Sequence, residues 1–170
     1  MPRVFSVSDS VLIEADPAVI YRQVSQPALM GRWSPENLGA TVPDGQGAAA
    51  TRPGLVFEGH NKRGGVRWTT RCTVTAAEEG RLFRFRVHAI GLKQPRLRGP
   101  IATWEYRFAP VGEGTEVTET WTDDRRGWPD PLANAFDRVV TRGHTFADFQ
   151  RRNIRTTLRN LKAAMEAPGS

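Results

Sequence analysis

Three hairpins can be drawn from this sequence, and they agree on which side chains share a face. Stretches of alternating polarity run at about 54–61, 66–77, 81–90, 101–110 and 115–124. Most connections are short and carry glycine where a hairpin turn needs positive φ: Lys62-Arg63-Gly64-Gly65, Glu78-Glu79-Gly80 and Val111-Gly112-Glu113-Gly114. The exception is 91–100, a longer Pro/Gly loop. The first turn pairs Asn61 with Val66, Gly59 with Trp68 and Phe57 with Thr70. The second pairs Ala76 with Phe83, Val74 with Phe85 and Cys72 with Val87. The third pairs Phe108 with Val117, Tyr106 with Glu119 and Trp104 with Trp121. A slip of one residue would turn every side chain to the opposite face, so the agreement is a strong constraint.

One face then carries Phe57, Trp68, Cys72, Val74, Phe83, Phe85, Val87, Trp104, Phe108, Val117 and Trp121. The other carries charged and hydroxyl residues, among them His60, His88, Arg67, Arg71, Arg84 and Arg86. This is an antiparallel sheet with one wet face, and its dry face needs a cover. Asp130-Pro131 opens a helix expected to run to about 165, weakened slightly by Gly143 inside it. Its apolar stripe includes Phe136, Val139, Val140, Ala147, Ile154, Leu158 and Leu161, at steps of three and four. One helix cannot fill the concavity of a twisted sheet of six or so strands, so a hollow is expected at one end. Asn61, Thr70, Tyr106 and Glu119 interrupt the dry face, with Asp9 joining from the first strand. A few polar groups in an apolar pocket are the pattern of a small-molecule site.

Upstream, residues 3–14 alternate as a half-buried strand. Asp16-Pro17 caps a short helix at about 17–25, and Gln26-Pro27 opens a second helical turn to about Trp33. Residues 36–53, rich in Gly, Ala, Pro and Asp, read as a loop with room for a short strand. The fold class is α+β: six to seven antiparallel strands curved around a long C-terminal helix, with two short helices after the first strand. The length of 170 residues suits one domain, 1–170, with an ordered core of about 3–165.

The net charge of +6 comes mostly from arginines scattered along the chain without a basic block, which argues against nucleic acid. Cys72 is the only cysteine, so no intrachain disulfide can form, as in a reducing cytosol. No apolar run approaches the ~20 residues that span a bilayer, and the N-terminus lacks the layout of a signal peptide. A cytoplasmic protein with no integral membrane segment is expected. Uncapped sheet edges permit a homodimer.

This order of elements resembles the START-like superfamily, also called SRPBCC, with its helix-grip fold. Its bacterial branch is the polyketide cyclase/dehydrase and lipid-transport family. The likeness is carried by Ala15-Asp16-Pro17, Trp33-Ser34-Pro35, Phe57-Glu58-Gly59-His60-Asn61 with Trp68 after it, and Ala102 to Phe108. It continues in Gly114 to Glu119 and Leu158-Arg159-Asn160-Leu161-Lys162, and covers residues 3 to about 165. The resemblance implies a cavity for hydrophobic or aromatic ligands, lined by Trp33, Asn61, Trp68, Trp104, Tyr106, Glu119 and the sheet-facing side of the final helix. Phe57, Thr70, Phe85 and Trp121 on the dry face and Phe136, Val140 and Ala147 on the helix complete the expected lining. In the family's cyclases a pocket arginine and tyrosine help steer ring closure. Tyr106 matches the tyrosine, while Arg67, Arg71, Arg84 and Arg86 fall on the wet face.

Glu119 with Tyr106 is the sharpest candidate for chemistry. An inward glutamate in an apolar pocket has a raised pKa and can act as acid or base; the more ordinary role of such a pair is a structural hydrogen bond in a core. Trp33, Trp68, Trp104 and Trp121 can stack on a flat ligand or simply pack. Cys72 points away from His60 and His88, against a Cys–His dyad. His144 and Asp148, one helical turn apart, lack a third metal ligand. The run Asp123-Asp124-Arg125-Arg126 reads as a solvated strand end. No P-loop, dinucleotide fingerprint or HExxH is present, and no cofactor is expected. Three functions remain: a carrier or binding protein for a small hydrophobic ligand, a cyclase/dehydrase-type enzyme using Glu119 and Tyr106, and a ligand-gated interaction module in which loop 36–53 closes the cavity.

Overall fold

The computed structural model describes residues 3–43 and 50–168, and all of these but the Val140 side chain. The chain runs through β1 (Ser6–Ile13), α1 (Pro17–Val24), a 3₁₀ helix (Pro27–Arg32), β2 (Asn37–Thr41), β3 (Val56–Arg63), β4 (Val66–Glu78) and β5 (Leu82–Gly91). It continues through β6 (Leu97–Val111), β7 (Gly114–Asp123), α2 (Asp130–Val140) and α3 (Phe146–Glu166). The seven strands form one antiparallel sheet in the order β1-β7-β6-β5-β4-β3-β2. The α+β helix-grip architecture expected from the sequence is therefore present, and the short strand inside loop 36–53 is β2. Residues 44–49 of that loop lie outside the described residues.

The third hairpin has the expected register, with Trp104, Tyr106 and Phe108 opposite Trp121, Glu119 and Val117. The second pairs Cys72 with Val87 and Val74 with Phe85, but a bulge between Val74 and Ala76 sets Ala77, not Ala76, opposite Phe83. A bulge adds one residue to one strand, which no alternation pattern reveals. The first hairpin turns on two residues rather than four. Arg63 pairs with Val66, Asn61 with Trp68 and Phe57 with Cys72, around Gly64 at φ 57°. The shift is two residues, so each side chain keeps its face. The 91–100 loop is shorter than expected, since β6 begins at Leu97.

The largest correction concerns the C-terminal helix, which is two helices. Arg142 adopts φ 57°, and the Gly143 N–H donates to the Arg138 carbonyl at 2.7 Å. This is the six-to-one bond of a Schellman stop, with arginine in the left-handed position. Thr145 then caps α3, its Oγ1 accepting from the Asp148 N–H at 3.2 Å. His144 thus lies in the break and not on a helix, and Asp148 pairs with Arg151 at 2.8 Å.

α3 packs on β1 and β7, burying Ala147, Ile154, Leu158 and Leu161 against Val7, Ile13, Val117 and Trp121. Each fully buried Leu or Ile contributes roughly 1.5–3 kcal/mol. α2 does not extend that stripe: Val139 is 81% exposed and Phe136 39%. The concave side of β3 to β6 is left without a helix along it, and the hollow lies there.

Candidate ligand-binding cavity

The hollow is a cavity of about 640 Å³, within the usual range for small-molecule sites. The sheet contributes Phe57, Asn61, Trp68, Thr70, Cys72, Phe85, Trp104, Tyr106, Glu119 and Trp121, all alternating inward along their strands. The 3₁₀ helix and its end bring Met30 and Trp33. α2 and α3 close it with Phe136, Val139, Phe146, Gln150, Asn153 and Thr157. Every expected lining residue is therefore on the cavity wall except Ala147 and Val140. Ala147 is buried in the core and absent from the wall, because the helix break rotates the start of α3. The Val140 side chain lies outside the described residues.

Tyr106 and Glu119 sit opposite one another on β6 and β7, both buried. The Tyr106 hydroxyl donates to Glu119 Oε1 at 2.7 Å. Burial pushes the Glu119 carboxyl up to about 8, against the lowering influence of that hydrogen bond. Burial, then the charge of Glu119 and the hydrogen bond to it, pushes the Tyr106 phenol well above its ordinary value. Among the described residues, Glu119 Oε2 and Arg3 Nε are the buried side-chain polar atoms without a hydrogen-bond partner. Asp9, expected to join this group, is exposed and turned toward Arg155 of α3 at 3.7 Å. β1 is an edge strand, and its inward side at Asp9 opens to solvent beside the helix.

The final helix was expected on the wall, but the polar residues through which α3 forms it were not. Gln150, Asn153 and Thr157 are buried at steps of three and four, and the Asn153 amide donates to Gln150 Oε1 at 3.2 Å. Their spacing was visible, but polar residues on a helix are expected to face solvent. Also missed were the arginines. Arg63 and Arg125 line the cavity, as do the exposed Arg98 and Arg142, beside exposed Val66, Leu92, Leu97 and Val139. Arg63 bonds Glu36 at 2.6 Å and lies over the Phe149 ring, 3.5 Å from its centre.

The Asp123–Arg126 run is not a solvated strand end. Arg125 is 5% exposed; its Nε and Nη2 donate to the two oxygens of Asp123, and its Nη1 to Asp137, all at 2.9 Å. Arg3 also donates to Asp123 at 2.9 Å, and Asp137 Oδ2 accepts from the Phe146 N–H at 3.3 Å. The cluster ties the end of β7 to α2, and α2 to the start of α3. Alternation along β7 gave no hint of this, because Arg125 lies past the strand and its partners come from residue 3 and from α2.

Cys72 is buried in the wall, and burial pushes its thiol up to about 12, opposed by a contact with Thr70. His60 and His88 bond Thr41 and Thr73 on the other face. The native protein should therefore react with a disulfide reagent at pH 7 about a thousandfold more slowly than the unfolded chain, because the thiolate is so scarce. Rapid labelling of the native protein would contradict this burial. Among the described residues no three His, Cys, Asp or Glu side chains form a metal-binding group, and no helix is long and apolar enough to cross a membrane.

Residues 4–166 match the sequence profile of the family described as polyketide cyclase / dehydrase and lipid transport. No curated protein matches the chain. A START superfamily protein from Mycobacterium smegmatis superposes with a TM-score of 0.67 at 12% identity, covering 96% of this chain and 98% of that one. A major latex-like protein from Panax ginseng gives 0.62 at 15% identity, with 95% and 97% covered. A polyketide-cyclase-like protein from Corynebacterium glutamicum gives 0.56 at 25% identity, with 98% and 92% covered. At 12% and 15% identity the likeness shows the shared START-like fold.

Proposed function

The chain belongs to the polyketide cyclase / dehydrase and lipid transport family, and from that premise we propose that it binds a small, flat or elongated hydrophobic molecule in its cavity, as a carrier or binding protein. The observation that carries this reading is the wall itself. Trp33, Trp68, Trp104 and Trp121 line a space of about 640 Å³ around the buried Tyr106–Glu119 pair. Aromatic faces stack on conjugated rings, and a space of that size accommodates a molecule of a few fused rings.

The test is native mass spectrometry of the protein purified from its own host, with extraction of what is bound. One aromatic or acyl species at near-stoichiometric level is expected. An empty protein that also takes up no fluorescent apolar probe would remove the binding reading.

A second reading, a cyclase or dehydratase, is favoured by one observation: Glu119 holds its proton near neutral pH and shares a hydrogen bond with Tyr106. Such a pair can move protons while the walls hold a reactive chain in one conformer. Once the bound species is known, Glu119→Gln separates the two. The amide keeps the shape and the bond from Tyr106 but cannot transfer a proton. Binding kept with turnover abolished identifies an enzyme; a protein that never turns the species over is a carrier.

A further inference from the structure

Glu119 is a cavity-wall residue with one oxygen engaged and the other free. Oε1 accepts the Tyr106 hydroxyl, whose hydrogen has no other acceptor among the described residues. Oε2 is buried and has no partner. The residue is 2% exposed, and among the described residues burial and the Tyr106 hydrogen bond, with no cation, set the state of its carboxyl. Ionised, it would be an uncompensated buried charge, which is far costlier than a neutral acid in the same place. Because Oε1 is already an acceptor, the proton belongs on Oε2, where its O–H meets no acceptor among the described residues. A buried donor left unmatched is itself unfavourable.

We propose that this O–H is the anchor for the ligand: the site takes an apolar molecule carrying a neutral oxygen acceptor, a ketone, quinone or ester carbonyl, which receives the hydrogen bond from Glu119 Oε2. The inference rests on the binding role proposed above and adds the functional group that the ligand must carry. The far wall fits a neutral occupant. Gln150, Asn153 and Thr157 of α3 are uncharged. Tyr106 on β6 and Asp9 on β1 pair across the strands with Glu119, and Arg155 of α3 turns outward to Asp9, while Cys72, Glu36, Arg63 and Arg125 stand elsewhere on the cavity wall. A carboxylate ligand would have to shed its water beside an acid, and the wall arginines Arg63 and Arg125 already bond Glu36, Asp123 and Asp137.

Fluorene and fluorenone have the same tricyclic skeleton and differ by one carbonyl, so they read the anchor directly. Their Kd values are measured by equilibrium dialysis at pH 6.5 with wild type, Glu119→Met and Glu119→Gln. The ratio of the fluorene Kd to the fluorenone Kd should be about tenfold higher in wild type than in Glu119→Met, the value of one hydrogen bond of about 1.4 kcal/mol. Glu119→Gln should keep the preference, because its amide N–H donates from the same position. At pH 9.5 wild type should lose the preference, as the carboxyl ionises, and Glu119→Gln should not. Equal ratios in wild type and Glu119→Met, with both probes bound, would overturn the anchor and leave the binding role standing. Should Glu119→Met not fold, a wild-type ratio unchanged between pH 6.5 and 9.5 would overturn it equally. Failure of both probes to bind wild type would overturn the binding role together with the anchor.

Discussion

Arg125→Met should lower the stability of the protein by about 3 kcal/mol, the low end for a broken buried ion pair. Arg125 makes a two-pronged contact with Asp123 and a third bond to Asp137. Arg3 still neutralises Asp123 when the guanidinium is gone, so the main loss falls on Asp137. That carboxylate is 4% exposed and would keep only the Phe146 backbone N–H as a partner. Asp137 also joins α2 to α3, so the damage should be greatest where the cavity is closed. Urea unfolding gives the magnitude. The double variant Arg125→Met/Asp137→Leu should recover most of the loss, because removing both charges leaves neither stranded. A single variant as stable as wild type would mean the cluster is solvated after all.

The cluster also has a pH signature. Burial works to raise the Asp123 carboxyl, but hydrogen bonds from Arg125 and Arg3 outweigh it and hold it below its usual range. A group depressed in this way contributes stability above its unfolded value, and that contribution is lost as pH falls through the folded value.

Glu119→Gln should act in the opposite sense and make the protein more stable at neutral pH. In the folded chain the carboxyl stays neutral up to about pH 8; in the unfolded chain it ionises near its ordinary value of about 4.3. Between those limits the folded state holds a proton that the unfolded state has released, so stability falls as pH rises. Glutamine carries no such proton. The two proteins should be about equally stable at pH 4, and the variant should lead by roughly 4 kcal/mol at pH 7. The gap should widen a little further and level off above pH 8. Denaturant midpoints across this range measure it, and the difference between the curves cancels the other carboxylates. Parallel curves would show that Glu119 is not held neutral.

The pattern of residues was enough for the sheet and the sheet side of the cavity. Side chains alternate along a strand with a period of two, so parity alone assigned Trp68, Trp104, Tyr106, Glu119 and Trp121 to one face. Parity survived even where the pairing was off, because the shorter turn at Gly64-Gly65 moves the register by an even number. The bulge after Val74 could not be read in this way, since it breaks the rule that the reading uses. The helix break had a local signal, Arg142-Gly143 followed by Thr145 with Asp148 three residues on, but the apolar periodicity continued across it and hid it.

Tertiary structure alone decided the remainder. Gln150, Asn153 and Thr157 became cavity wall only because α3 leans on β1 and β7 and turns that face toward the hollow. Arg125 became a buried anchor only because Arg3 and Asp137, distant in sequence, converge on Asp123 and its guanidinium. Periodicity reports which residues share a surface of one element. Which surface meets another, and which charges are thereby removed from water, depends on contacts between distant segments, and these carry no period in the chain.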